Sequence, residues 1–535
     1  MTWENVVTGL SNPINFEFVS DKNPTEMWVT EKNTGRVKHI FNGTVRIVLD
    51  LQVSNSTDRG LLGIVKHPDF EQNRWVYLYY STSPSGEGAD WLSNRVVRFE
   101  WTGDEFINPL LIWETFTDPN QPNGNWHQGG VMAFGPDRKL YIVTGDLHRG
   151  RIWAGRIEQN THATLPSGVG GILRLNDDGT TPSDNPFVSH SAESIRRMWT
   201  YGLRNSFGIE FDPRTGILWY TENGPDFWDE INYVERGGMN SGWLLIMGPD
   251  SRDARYPENN QTAFNASNLV NLPNSYYQDP VFSWYNTIGP IACKFITSAR
   301  FSGDWSENLF MTDTNTAGLY LFKMRPDRKG FLLDGPLSDQ VADNLAEREM
   351  NRIGSTFWTI TDVKFGADGF MYLLGHAHGR ILRIRPVSPP PVLNGKAVLE
   401  NYAALPLNMP ITIRLRNETT NELHDPINSV LDWKGNFSVR APSGGTFSGS
   451  IKVGTYLSQS IEEFTLAANG YIYLDPAFGA NGDVNGDDIV DDADLLIVLE
   501  SFGTDGLGDV NGDGIVDDLD LAIVLESFGL AGHQP

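Results

Sequence analysis

The chain has 535 residues, 40% of them apolar, with 54 Gly, 16 Trp and 17 Tyr and a formal net charge of −26. That length allows two to four domains, and the acidic balance disfavours nucleic acid or an anionic membrane as partner. The single Cys293 excludes an internal disulfide, and no apolar run approaches the ~20 residues of a membrane span.

Residues 1–386 repeat one phrase, a turn followed by an apolar-aromatic strand. It occurs at Asp21–Thr30, His67–Tyr80, Gly135–Gly145, Asp212–Thr221, Gly303–Thr312 and Gly366–Leu374. A second strand often follows, as at Gly35–Ile40, Arg95–Phe99, Gly171–Leu175 and Gly379–Ile384. Six hairpin-like units predict a mainly β fold that begins with a six-bladed β-propeller. Residues 387–394, with Pro389-Pro390-Pro391, read as a stiff linker. Residues 395–476 alternate apolar and polar in short runs such as Ile411–Leu415, Asn436–Val439 and Gly449–Val453, which predicts a small β-sandwich.

The tail then holds one segment twice, Asp483-Val484-Asn485-Gly486-Asp487 and, 26 residues on, Asp509-Val510-Asn511-Gly512-Asp513. Residues 481–535 contain fourteen Asp or Glu and no Lys or Arg. Calcium takes six to eight oxygens, and a twelve-residue loop offers them at positions 1, 3, 5, 7, 9 and 12. The first loop presents Asp483, Asn485, Asp487, the Ile489 carbonyl, Asp491 and Asp494. The second presents Asp509, Asn511, Asp513, the Ile515 carbonyl, Asp517 and Asp520. Position 6 favours Gly; Gly514 supplies it, whereas Asp488 in the first loop does not, which marks that loop as the weaker site. Short helices are expected over Leu495–Phe502 and Leu521–Phe528.

Residues 481–530 resemble a type I dockerin, a calcium-folded module that docks into a cohesin. The resemblance implies a cohesin-type protein partner. Its reading positions, Asp492-Ala493 and Asp518-Leu519, depart from the family's Ser/Thr pair. Residues 395–476 resemble the carboxypeptidase-regulatory-like modules that precede such repeats. Dockerin-like modules imply an extracellular or cell-surface setting, although Met1-Thr2-Trp3-Glu4 runs into a strand-like segment with no visible signal peptide.

The first 386 residues carry an ordered set of motifs: Gly60-Leu61-Leu62-Gly63, His67-Pro68-Asp69-Phe70, His127-Gln128-Gly129-Gly130, Tyr201-Gly202-Leu203-Arg204-Asn205, Glu222-Asn223-Gly224-Pro225 and Asp229-Glu230-Ile231-Asn232. In this order they resemble the soluble glucose/aldose sugar dehydrogenases that use pyrroloquinoline quinone (PQQ), the glucose/sorbosone dehydrogenase family. That family's fold is a six-bladed propeller. Hydroxyl oxidation needs a hydride acceptor and a base, and His suits the base because its unperturbed pKa of about 6.5 lies near working pH. The resemblance implies that His127 is the catalytic base and that Arg204, with Asn205, contacts quinone and substrate. It implies that the Gly224 and Pro225 carbonyls hold a cofactor-bridging calcium and that Glu230 binds a second, structural calcium. Asp58 stands where the family has a substrate-side Gln.

The chain departs from the family at three cationic quinone anchors, where it has Asn315, Thr359 and Thr361. Each charge-assisted contact is worth roughly 1.5–3 kcal/mol, so quinone binding weakens by orders of magnitude unless other cations replace them. Lys294, Arg300, Arg325 and Arg352 lie in the same blades. Two readings follow: a PQQ- and calcium-dependent sugar oxidoreductase tethered by its tail, or a non-catalytic propeller that has lost the quinone and binds a glycan or protein.

Overall fold

The computed structural model describes residues 1–85, 90–115, 126–147, 157–160, 166–252, 265–356 and 358–534. Residues 2–385 form six antiparallel-rich sheets, arranged as blades. Their first strands are Pro13–Ser20, Leu61–Lys66, Met132–Phe134, Ile209–Phe211, Pro290–Phe295 and Ile360–Phe365. Each first strand touches the next, and the last touches the first, so the six close into a ring around a central channel. The chain's first strand, Thr2–Val7, pairs antiparallel with Arg380–Arg385 and completes the sixth blade.

All six repeated phrases fall on the second strand of a blade: Asn23–Glu31, Trp75–Ser81, Leu140–Thr144, Leu218–Glu222, Leu309–Asp313 and Met371–Gly375. These strands read as unbroken apolar runs because both of their faces are buried. Strand side chains alternate between faces. Thus Tyr77 and Tyr79 pack towards the third blade with Leu140 and Leu173, while Val76 and Leu78 pack towards the first with Trp28 and Val37. Six such clusters, one per blade interface, make up the core of the ring.

Residues beyond the ring form three further sheets around one core, the smallest being Val398–Leu399 paired with Ala477–Phe478. Val392–Lys396 lies between Asn436–Arg440 and Tyr471–Leu474, and Pro410–Asn417 pairs with Gly445–Val453, which pairs with Gln459–Leu466. Leu393, Ile413, Phe437, Val439, Phe447 and Ile451 share that core. The strand Val392–Lys396 starts inside the segment expected to be linker. Arg300, 2% exposed, joins the two regions. Its guanidinium donates to the carbonyls of Asp368 (2.5 Å), Pro390 (2.7 Å), Asn469 (3.1 Å) and Gly470 (3.0 Å).

The tail packs two helices, Asp492–Glu500 and Asp518–Ser527, over Val490, Val498, Val510, Val516 and Val524. Each begins three residues before its expected start. Asp491 and Asp517 cap the N-termini, and Asp494 and Asp520 close capping boxes. Among the described residues no helix is long and apolar enough to cross a membrane.

Candidate active site

The first strands all begin at one face of the ring, and the turns that lead into them form its mouth. His127 sits in such a turn with φ 56°, a left-handed conformation uncommon outside glycine. Its backbone N–H donates to Asp58 Oδ2 at 2.8 Å. Its Nδ1 lies 2.5 Å from Asp146 Oδ1, and Asp146 Oδ2 accepts the Trp243 indole N–H at 2.9 Å. Asp146 is 1% exposed. An ionised carboxylate only accepts, so Nδ1 carries the proton and Nε2 keeps a lone pair. This is the arrangement of an oriented general base.

The strand Leu140–Thr144 delivers Asp146 to that position. Gly145 makes the approach possible: a Cβ there would lie 2.0 Å from the His127 carbonyl oxygen and 2.8 Å from Asn205 Oδ1. The Asp146 N–H donates to the Arg204 carbonyl at 2.8 Å. Asn205 Oδ1 accepts from Gly129 N–H at 3.2 Å. Arg204 donates its N–H to Glu222 Oε1 at 2.7 Å and its Nη1 to the Asn223 carbonyl at 2.9 Å, with the guanidinium 5.5 Å from the Trp243 ring centre. The structure therefore brings His127, Arg204 and Asn205 into one hydrogen-bonded unit.

Gly224 follows directly. Its N–H donates to Asp229 Oδ1 at 2.8 Å, and Pro225 beside it is half-buried. Asn223 donates to the Pro290 carbonyl at 2.9 Å, but its buried Oδ1 has no hydrogen-bond partner. An orphaned buried acceptor costs about 1–3 kcal/mol and is suited to a bound cation. Together with the adjacent Gly224 and Pro225 carbonyls it fits a hard metal ion such as calcium. Glu230 lies next to Asp229 on the following strand, Phe227–Val234. It accepts from Gly248 N–H at 2.5 Å and from Asn232 Nδ2 at 2.9 Å. Burial pushes Glu230 up to about 7 and Asp229 up to about 6. Burial, with the charge of Glu230, holds Glu222 well above the usual carboxylate range. Among the described residues no three His, Cys, Asp or Glu side chains converge closely enough to hold a metal ion.

The rim opposite is neutral at the positions where the resemblance implies cations. Thr314 Oγ1 lies 3.4 Å from Thr359 Oγ1, Asn315 donates to the Thr287 carbonyl at 3.4 Å, and Thr361 lines the channel beyond. The four candidate replacements are committed elsewhere. Lys294 pairs with Glu210 at 2.6 Å, Arg300 joins the ring to the following sheets, Arg325 pairs with Asp327 at 2.7 Å, and Arg352 pairs with Glu349 at 2.7 Å. Arg352 also donates to the Thr316 carbonyl at 3.1 Å, next to Asn315.

Four residues escaped the sequence reading: Lys32, Asp146, Asn223 as an acceptor, and Trp243. Lys32 donates to the Thr57 carbonyl at 2.6 Å and its charge acts on Asp58, which also feels His127 and Arg204. Burial raises the Asp58 carboxyl and lowers the Lys32 ammonium. Asp146 alone had a usable signal, as the acid that ends the third Leu-Tyr-Ile-Val-Thr-Gly phrase. His376 and His378, which alternation would have put on one strand face, lie in a turn. His376 Nδ1 is 2.9 Å from the Pro13 carbonyl, and the His378 ring packs tilted against Trp358 with centroids 4.4 Å apart.

A cavity of about 1140 Å³ lies at the opposite mouth, between the ring and residues such as Lys396, Trp433 and Tyr473. Its charges are largely matched, as in Lys294–Glu210 at 2.6 Å and Lys364–Glu17 at 3.4 Å. The chemistry is therefore assigned to the mouth that holds His127.

In the tail, the two loops share one hydrogen-bond frame. Asp494 Oδ1 accepts from Val484 and Asn485 N–H at 2.7 and 2.9 Å, and Asp520 Oδ1 from Val510 and Asn511 N–H at 2.9 and 3.1 Å. Asp487 and Asp513 accept from Ile489 and Ile515 N–H, and Asp491 and Asp517 from Ala493 and Leu519 N–H. Asn485 and Asn511 each donate to the Asp two positions on, at 3.1 Å. The donor set of each loop is all-oxygen, the chemistry calcium takes, but among the described residues its carboxylates do not converge on one point.

Comparison with known proteins adds an independent line. The glucose/sorbosone dehydrogenase family profile matches residues 10–383. Aldose sugar dehydrogenase YliI of Escherichia coli is 27% identical over 330 residues, 61% of this chain and 77% of that protein. Quinoprotein glucose dehydrogenase B of Acinetobacter calcoaceticus is 31% identical over 240 residues, 42% of this chain and 48% of that protein. The crystal structure of the soluble aldose sugar dehydrogenase from E. coli in its apo-form shares the fold. It has a TM-score of 0.55 at 23% identity and covers 72% of this chain and 99% of that one.

Proposed function

The chain belongs to the glucose/sorbosone dehydrogenase family, and we propose that it oxidises a hydroxyl of an aldose or sugar alcohol at the His127 mouth, with PQQ and calcium as cofactors. The observation that carries this is the His127–Asp146 pair, bonded into the same unit as Arg204 and Asn205. His127 Nε2 takes the hydroxyl proton as the substrate is oxidised. Asp146 holds the imidazole in one tautomer and balances the imidazolium that forms. Arg204 and Lys32 are the cations at the mouth for an anionic quinone, and Asn205 positions the Gly129 turn. Asn223 Oδ1 with the Gly224 and Pro225 carbonyls would hold calcium. When bound, the quinone supplies the hydride acceptor and calcium polarises its carbonyl.

We further propose that residues 395–476 serve as a β-sandwich spacer and residues 481–530 as a dockerin-like calcium module that tethers the enzyme outside the cell. Each copy of the tail exposes apolar side chains on and just after its helix, Leu496, Leu499 and Phe502 in one and Leu519, Leu525 and Phe528 in the other. Exposed apolar patches of this kind suit a cohesin-type partner.

A second reading has its own observation. The neutral Thr314–Thr359 rim lacks the family's anchors, which favours a propeller that binds a glycan or protein without chemistry. Calorimetric titration of calcium-loaded protein with PQQ separates the two. Saturable micromolar binding that is lost in Arg204→Ala, together with sugar-dependent dye reduction lost in His127→Ala, supports the dehydrogenase. No binding at near-millimolar quinone leaves the binding propeller.

A further inference from the structure

The tail contains its own control, because the chain builds the same twelve-residue frame twice and sets it in two surroundings. Within the frames the bonds match. Asp483 accepts from Gly486 and Asp488 N–H, both at 2.8 Å, and Asp509 accepts from Gly512 and Gly514 N–H at 2.8 and 3.0 Å. The differences come from outside.

Lys452, on the strand Gly445–Val453, seats its ammonium on Asp483 Oδ2 and lies 3.4 Å from Asp488 Oδ1. The Asp483 side chain is fully buried beneath it and Lys452 itself is 14% exposed. Asp488 takes the turn conformation that favours glycine, φ 72°. Its carboxylate accepts from Ser458 N–H at 2.8 Å, from Ser458 Oγ, and from Gln534 Nε2 at 3.2 Å. The departure at position 6 is thus a stitch between the tail and the preceding sheets. The second loop is held by neutral contacts. Ala403 N–H donates to the Asn511 carbonyl at 2.7 Å, and Tyr402 packs on Gly512. Gly514 faces open space, and among the described residues no ion pair involves Asp509, Asp513, Asp517 or Asp520.

Resting on the calcium reading above, we propose that Lys452 is a built-in cation of the first loop. It makes that loop the weak calcium site, and calcium binding there breaks the ionic latch that holds the tail on the preceding sheets. The second loop is the tight site. The ammonium neutralises a ligand that calcium needs, and loop affinity follows ligand charge. Two cations held close in a buried site also repel with little screening.

The test is calcium titration of the chelator-treated full chain by calorimetry. Asp513→Ala leaves the first loop to be read, and Asp487→Ala leaves the second; circular dichroism checks that each variant folds. The first loop is expected to bind at least about tenfold more weakly, and Lys452→Met to strengthen it by about tenfold while leaving the second unchanged. Acetylation of Lys452, followed by mass spectrometry, is expected to rise only at calcium concentrations that fill the weaker site. Equal affinities, or a Lys452→Met isotherm unchanged from the parent, would overturn the inference and leave the calcium loops standing. Loss of no calcium binding in either Asp variant would overturn the calcium reading itself, and the latch with it.

Discussion

Replacing Asp146 by Asn changes one atom at the centre of the candidate site. The carboxylate now meets two N–H donors, His127 Nδ1 at 2.5 Å and Trp243 Nε1 at 2.9 Å, one on each oxygen. An amide has one acceptor oxygen. If it serves Trp243, its NH2 group faces His127 Nδ1, and the imidazole must shift its proton to Nε2, the nitrogen needed as base. If it serves His127, the indole N–H is left buried against a donor. The lost charge-assisted bond is worth roughly 1.5–3 kcal/mol, or about 10- to 150-fold in rate. A wrong tautomer adds to that, and an Asp→Asn change of this kind in a Ser-His-Asp triad costs about 10⁴. We expect sugar-dependent dye reduction to fall by at least about a hundredfold in kcat, with KM little changed. Nitrogen-15 NMR of labelled His127 gives a readout independent of turnover and should show the proton moved from Nδ1 to Nε2. An Asp146→Asn protein with parental kcat and an unmoved tautomer would refute the assigned role.

Three further outcomes follow from the geometry. Gly145→Ala forces a Cβ against the His127 carbonyl and Asn205, so activity should drop sharply while stability falls by only about 1–3 kcal/mol; thermal melting beside the dye assay checks it. Arg300→Met removes the buried donor shared by the carbonyls of Asp368, Pro390, Asn469 and Gly470 and should cost about 3–5 kcal/mol, with new proteolytic cleavage near residues 386–391; an intact digestion pattern would count against the joint. Asp229 and Glu230 titrate near 4 when unfolded but at about 6 and about 7 when folded. The folded state then holds extra protons in that interval, so stability is highest below it and declines as pH rises through 6 and 7. In chelator-treated protein the melting temperature should fall from about pH 5 to about pH 7.5, and Glu230→Gln should flatten the fall; a parental curve that rises across the interval contradicts the burial assigned to these acids.

The blades were legible because each second strand is apolar on both faces, a property that survives in one dimension. Met27, Trp28 and Val29 announce a buried strand without reference to any partner. His127, Arg204 and Asn205 were reachable through the order of local motifs. Lys32 and Trp243 were not, because each acts through a residue on another blade or loop, and nothing local distinguishes Lys32 from a surface lysine; Asp146 was marked only by its place at the end of a repeated phrase. Asp488 shows the same limit. Within its loop it reads only as a missing glycine, and its purpose lies with Ser458 and Lys452, thirty or more positions away. The helix starts were missed for a local reason: Asp491 and Asp517 serve as loop acids and as N-caps at once.

The pairing of Thr2–Val7 with Arg380–Arg385 has a consequence for how the molecule is made. The first blade to leave the ribosome cannot bury its outer neighbour's face until the sixth has been synthesised, so five blades wait with one open flank each end. Joining ends so distant costs little more than joining near ones, since closure entropy grows only logarithmically with length. The hazard is instead time, during which exposed strand edges invite misassembly. A new pair of termini placed in a loop between blades of the ring alone, residues 1–386, with residue 386 joined to residue 1, would turn that last long-range pairing into a local one, and it should shorten the interval before the ring is shut.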